Sequence, residues 1–390
     1  MKIFKLVFKN ALRHKLRSIL TMLGIGVAIL LFGLIRTIIS AWYAGVEASA
    51  QNRLVVRNAV SLIFPLPLAY REQIGKISNV ENVSAANWFG AYYKDPNIFF
   101  ANFAVDENYL SIYPEYRLPA EQKETYWRER DACVVGRKLA ERFGWKLNDA
   151  VRLTGTIVQG DWDFVIRGIY EGAQPTVDET QFFFHWDYMN ERVRQIFGDG
   201  GADNVGFYVV QIARSANPAQ ISEMIDANYK NSYAETKTET ESAFQQGFVS
   251  MSGTIIVAMR VVSIVVVFII LLVLANTMAM TARERMTEYA VMKTLGFRPF
   301  HLIGLIGGES LVIALGGFVL GLLLTNQVVH GFASFLVTAN LSAFFPVFEL
   351  KNSTITLSFI AAVVVGLASA IFPAWRAVKM RIADGLHRIG

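Results

Sequence analysis

Four long apolar runs punctuate the chain: Ser18 to Ile35, Ile255 to Met280, Leu302 to Thr325, and Ile355 to Phe372. A helix needs roughly 20 apolar residues to cross the hydrocarbon of a bilayer, and each run is close to that length or beyond it. The pattern predicts spans over 18–40, 251–280 (with an outer stalk), 302–325 and 355–373. Residues 41–250, between the first two, have the mixed pattern of a globular domain. Residues 326–354 form a short connection. The expected fold is a membrane protein with four transmembrane α-helices and a large α+β extracytoplasmic domain between the first and second spans.

Shorter periodicities fill in the rest. Residues 1–17 read as an amphipathic interfacial helix. Phe4, Phe8 and Leu12 lie on one face, and Lys2, Lys5, Lys9 and Arg13 on another. Within the outer segment, 53–58, 99–105, 149–153, 163–169, 181–185 and 205–213 read as strands. Residues 68–78, 137–144 and 217–228 read as helices, the last opened by Asn217 and Pro218. An inserted lobe over 115–200 is a further expectation. Residues 36–52 and 238–258 suit polar stalks.

The stretch 281–296, TARERMTEYAVMKTLG, interrupts two spans. Helical spacing puts Arg283, Glu284, Arg285, Glu288 and Lys293 on a polar face. Met286, Tyr289, Ala290, Met292 and Leu295 can form an apolar one, and Gly296 is placed to stop the helix. Such a helix suits docking to a soluble partner, or it can be a membrane-surface loop.

Charge sets orientation. Lys2, Lys5, Lys9, Arg13, Lys15 and Arg17 precede any acid, the first being Glu47. Basic residues also mark 281–301 and the tail 374–390, whereas 326–354 is poor in charge. All three basic segments face the cytoplasm together if both termini lie inside and 41–250 lies outside. The net charge of +5 is therefore topological. It forms no groove or stacking surface for nucleic acid. Composition agrees: 53% of the 390 residues are hydrophobic, more than a soluble domain ordinarily carries. The first run lacks a small-x-small cleavage site and reads as an uncleaved anchor. A single cysteine, Cys133, excludes an internal disulfide.

Several chemistries are missing. No G-x-x-x-x-G-K-[ST] loop occurs, so no ATP is handled by that route, and no G-x-S-x-G elbow occurs. The histidines His14, His185, His301, His330 and His387 have no partner at metal-ligand spacing. His185, between Phe184 and Trp186, reads as packing. No catalytic, cofactor-binding or metal site is expected. Within the spans, Glu309 is the unusual residue: a pairing group or latch facing the bundle, or a protonated or snorkelled side chain. Asn276 is a candidate hydrogen-bond partner somewhere in the bundle. Gly24, Gly26, Gly316, Gly317 and Gly321 suggest close helix packing.

Five segments in combination carry a resemblance. They are LRHKLRSILTMLGIGVAI at 12–29, CVVGRKLAERFGWKLNDAVRL at 133–153, NTMAMTARERMTEYAVMKTLGF at 276–297, Glu309 with Gly316-Gly317, and PAWRAVKMRIADGLH at 373–387. Together they resemble the permease subunits of MacB-like (FtsX/LolC-type, type VII) ABC transporters. The resemblance implies a coupling helix within 281–298 that meets a cytoplasmic ABC ATPase. Arg283, Glu284, Arg285, Glu288, Lys293 and Gly296 are its coupling residues. ATP and Mg²⁺ would sit on that partner and no cofactor on this chain. A second permease copy (homodimer or heterodimer), a periplasmic adaptor and a location in the bacterial inner membrane are further implications. MacB carries its ATPase fused at the N-terminus, so a chain opening at the amphipathic helix is expected to use a separate one. The expected work is mechanotransmission for efflux or export. The alternatives are an FtsX-like transducer that activates an outer partner, LolC/E-like lipoprotein release, and a non-ABC membrane anchor or receptor.

Overall fold

The structure, a computed structural model, describes residues 2–98, 100–174, 176–338 and 347–381. It divides into two compact units: residues 1–40, 253–333 and 348–390, and residues 41–252 with 334–347.

The first unit is helical. Among the described residues, four helices are long and apolar enough to cross a membrane: Lys15–Trp42, Gly253–Glu284, Pro299–Leu336 and Asn352–Lys379. A short helix, Lys2–Ala11, precedes them, and Met286–Thr294 separates the second from the third. In Lys2–Ala11 the apolar face is divided: Val7 and Ala11 are buried against the bundle while Phe8 is exposed. The third apolar helix continues to Thr338, beyond the 325 read from hydropathy. Asn326, Gln327 and His330 lower the local hydropathy, but helix hydrogen bonds run through the backbone and tolerate polar side chains outside hydrocarbon. The remainder of the expected 326–354 connection includes 339–346, outside the described residues, as are 382–390 of the basic tail and Phe99 at the start of one expected strand.

Small residues set the packing. A Cβ on Gly317 would stand 2.5 Å from Ile25 Cγ2, and one on Gly321 would stand 2.6 Å from Ile29 Cβ. One on Gly316 would stand 3.0 Å from Met22 Sδ. Gly26 faces the Gly317 carbonyl and the Gly321 amide. The first and third spans therefore meet backbone to backbone, the close approach that glycine permits in lipid. Gly24 is a correction: it is exposed, with open space where a Cβ would lie. It is two positions from Gly26, hence on the opposite side of the helix.

The second unit is built on an eleven-stranded mixed sheet. Its order is Thr236–Thr240, Arg53–Asn58, Phe207–Ile212, Val80–Trp88, Asn102–Val105, Phe182–His185, Ala132–Gly136, Gly160–Gly172, Ala150–Gly155 and Ala91–Tyr92. Tyr116–Arg117 adds to Gly160–Gly172. Two pairings are parallel, Phe182–His185 with Asn102–Val105 and Ala132–Gly136 with Gly160–Gly172.

Both faces are covered, which explains the run Phe182-Phe183-Phe184. Phe182 and Phe184 enter one core with Phe89, Phe164 and Trp162, and Phe183 enters the other with Tyr109, Tyr126 and Tyr170. A strand buried on both faces reads as continuous apolar sequence. Residues 115–200 supply neighbouring strands, Phe182–His185, Ala132–Gly136, Gly160–Gly172 and Ala150–Gly155, to this same sheet.

The polar strand Val80–Trp88 escaped the sequence pattern. It lies inside the sheet because Ser84 Oγ and the Ala85 amide both donate to the buried Asp106 carboxylate, at 2.6 and 2.8 Å. Residues 238–240, read as the start of a stalk, instead belong to the edge strand Thr236–Thr240 on Arg53–Asn58. The helix Glu241–Met251 follows, with Thr240 accepting from the Ala243 amide.

Candidate coupling site

The helix Gly253–Glu284 ends at Arg285, and the next begins at Met286. That one-residue break turns Arg285 inward. Its Nη1 donates to Glu309 Oε2 on the third span at 2.7 Å. Its Nε donates to Glu288 Oε2 at 2.8 Å, and the guanidinium lies 5.5 Å from the Tyr289 ring centre. Glu288 also accepts from Arg13, in the turn after Lys2–Ala11. Arg17, at the start of the first span, grips Glu284 with two bonds of 2.7 and 2.8 Å. A chain of charges thus links the N-terminal segment, the 285–296 turn and the third span.

The electrostatics follow. Burial works against the Glu288 carboxylate, but the hydrogen bonds from Arg285 and Arg13 outweigh it and hold its carboxyl below the usual range. Lys293 Nζ donates to the carbonyls of Val378 and Met380 at 2.7 and 2.8 Å. These are free carbonyls at the C-terminal end of the fourth helix, where a cation is favoured. Burial pushes the Lys293 ammonium pKa down.

Gly296 adopts φ +86. The Phe297 amide donates to the Met292 carbonyl at 3.0 Å and the Gly296 amide to that of Lys293 at 3.1 Å. This is a Schellman stop, which needs a left-handed residue at Gly296.

Of the residues singled out from sequence, the structure joins Arg285, Glu288 and Glu309 in one cluster and leaves Arg283 exposed. Asn276 is a correction: it lies on the exposed face of the second span, and Glu309 pairs with Arg285 instead. In sequence Arg13 reads as part of the polar face of the interfacial helix and Arg17 as flanking charge; neither reading pairs them with Glu288 and Glu284. The tip of the turn was also missed. Leu295 is 72% exposed and Phe300 78% exposed, with Val291 and Phe297 about half exposed between exposed Arg283 and Arg298. In sequence Leu295 reads as part of one apolar face with Met286, Tyr289, Ala290 and Met292; in the structure Tyr289 and Ala290 are buried and Leu295 is not. The apolar residues Val291, Leu295, Phe297 and Phe300, all within five positions of Gly296, were the available signal.

Among the described residues, no group of three or more His, Cys, Asp or Glu side chains could hold a metal. His185 stacks on Tyr126 with ring centres 4.2 Å apart, its Nε2 2.8 Å from the Tyr126 carbonyl oxygen. Burial pushes its pKa down.

Four membrane-length helices, a charge-linked turn between two of them and a mixed-sheet domain between the first and second define a multi-pass membrane protein of permease architecture. Comparison with known proteins identifies the family. Residues 18–228 match the MacB-like periplasmic core domain and residues 260–382 the FtsX-like permease C-terminal domain. The chain belongs to this MacB/FtsX-like family of ABC transporter permeases.

It is 23% identical over 419 residues to an uncharacterized ABC transporter permease of Methanocaldococcus jannaschii, covering 99% of this chain and 97% of the relative. Two solved structures are similar. One is the periplasmic region of MacB from Actinobacillus actinomycetemcomitans, at 10% identity and TM-score 0.37, covering 52% of this chain and 95% of that one. The other is the extracellular domain of the ABC-type transporter YknZ from Gram-positive bacteria, at 11% identity and TM-score 0.33, covering 48% and 100%. The family assignment rests on the two sequence models.

Proposed function

We propose that this permease transmits ATP-driven motion from a separate cytoplasmic ATPase, which carries ATP and Mg²⁺, to its own extracytoplasmic domain. The work is export or efflux of a substrate from the outer side or the membrane, with a second permease copy completing the complex. Both termini and the 285–298 turn face the cytoplasm of a bacterial inner membrane. The observation that carries the reading is the charge chain Arg13–Glu288–Arg285–Glu309 with Arg17–Glu284. It makes the turn one mechanical piece with the N-terminal segment and the third span. It also gathers basic segments at one end of the bundle, which supports their common cytoplasmic side.

The internal pairing divides the roles. Arg285, Glu288, Glu284 and Lys293 carry force inward, while Arg283, Leu295, Phe297, Arg298 and Phe300 form the face that meets the ATPase. Exposed apolar side chains at the centre of a contact with charges around it match the anatomy of protein interfaces. A second reading, activation of an outer protein partner such as an adaptor or hydrolase, has one observation in its favour. The loop 60–64 exposes Val60, Ile63 and Phe64 at the surface of the outer domain.

The test is co-purification of a soluble ATPase with the full-length tagged chain, beside Leu295→Asp with Phe300→Asp. Capture by the wild type and loss in the variant, with unchanged melting, supports the dock. Capture by both removes these residues from it. No ATPase with the wild type, under conditions that keep other membrane complexes intact, removes the ABC-coupling reading.

A further inference from the structure

Arg53 opens the strand that follows the first span's exit, and Glu241 opens the helix that leads into the second span. Their side chains meet inside the outer unit. Arg53 Nε donates to Glu241 Oε2 at 2.7 Å, and the Ala50 amide donates to the same oxygen at 3.1 Å. Tyr113 OH donates to Glu241 Oε1 at 3.0 Å. The other side of Arg53 is held by Glu115, with Nη2 2.6 Å from Oε1, and by the Ile112 carbonyl at 3.3 Å. The guanidinium carbon stacks 4.2 Å from the Tyr113 ring centre. The Arg53 side chain is 5% exposed and that of Glu241 9%.

One guanidinium thus ties together the chain's entry into the domain, its exit, and the turn 112–116. A rigid planar donor with five N–H groups is the residue type able to hold three segments at fixed angles. The knot also has a defined outlet. Arg53, Glu241, Tyr113, Glu115 and Tyr116 line a cavity of about 990 Å³ together with Gln211, Ala213, Arg214 and Ser215. Displacement of the Glu241 helix pulls on Arg53, and through it on the 112–116 turn, because a buried ion pair cannot exchange its partner for water without a large penalty.

Resting on the proposal that the permease transmits motion, we infer that the Arg53–Glu241–Glu115 knot is the joint that converts movement of the Glu241–Met251 helix into a change in the width of this cavity. Arg53 acts as a positioning residue. The cavity is where the outer domain receives the mechanical work.

The experiment uses the full-length chain in lipid nanodiscs with its co-purified ATPase. Spin labels are placed on Pro114→Cys and Ser215→Cys, both exposed and both lining the cavity, while the native Cys133 is buried. The distance between labels is read with ADP or with ADP–vanadate. The expected result is a shift between the two states in the otherwise wild-type chain. In Arg53→Met and in Glu241→Gln that shift falls by more than half, while ATPase capture and basal ATP hydrolysis persist. Glu241→Gln keeps the shape and one acceptor oxygen while removing the charge, so it separates loss of the charge link from loss of folding. An undiminished shift in a folded Glu241→Gln overturns the joint. No shift in the wild type, with ATPase bound and active, overturns the cavity as its outlet. Failure to capture any ATPase strikes the underlying reading instead.

Discussion

Arg285 and Glu309 lie 24 residues apart in sequence and form a buried ion pair of 2.7 Å, their side chains 5% and 3% exposed. The pair joins the turn between two spans to the third span. Removing Arg285 takes the ion-pair partner from the buried Glu309 carboxylate, whereas removing Glu309 leaves Arg285 its bond to Glu288, and removing both Arg285 and Glu309 leaves no buried orphan. Arg285→Met should therefore destabilise the helical unit by about 3–5 kcal/mol. Arg285→Met with Glu309→Leu should recover most of that loss. Thermal unfolding in nanodiscs decides it: equal losses in single and double variants would mean that the side chains pack rather than pair.

Packing between the first and third spans gives a paired prediction with its own control. Gly317→Leu forces side-chain atoms into Ile25 and should cost about 1–3 kcal/mol, the range for overpacking. Gly24→Ala faces open space and should leave the melting temperature unchanged. Equal effects at the two positions would contradict the close approach at Gly317.

His185 makes the outer domain sensitive to acid. Burial lowers its folded pKa below the ordinary 6.5, so the neutral ring is the native form. Its contribution is complete above the unfolded value and is lost as pH falls through the folded one, since protons then bind the unfolded chain more readily. Melting followed from pH 7.5 to 5.5 should fall more steeply for the wild type than for His185→Asn. Parallel curves would show that His185 does not titrate on unfolding.

Cys133 is fully buried in the strand Ala132–Gly136, and burial raises its thiol pKa well above the usual value. A thiol reagent should leave it unmodified in the native protein and label it once the outer domain is denatured. Rapid labelling without denaturant would place the strand at an accessible edge.

Much of the architecture was legible along the chain because its signals are periodic and local. A run of apolar residues long enough for a bilayer needs no knowledge of its neighbours. Alternation in RLVVRN, the Asn217-Pro218 cap and the stop at Gly296 are equally local. Basic residues at 13–17, 283–298 and 376–381 signalled a common side before any contact was known.

Partnership is what the sequence by itself did not determine. It contained Arg285, Glu288 and Glu309, but only the folded bundle turned the arginine inward and left Leu295 and Phe300 as the exposed tip. It contained both Gly24 and Gly317, alike in hydropathy, and only helix rotation placed one in open space and the other on Ile25. Val80–Trp88 has too many polar residues to read as an interior strand until Asp106 is brought across to hold it. Arg13 and Glu288 are 275 residues apart, and Arg53 and Glu241 are 188. A hydrophobic period specifies which face of an element is buried. The group that meets that face is decided by how the elements pack in three dimensions.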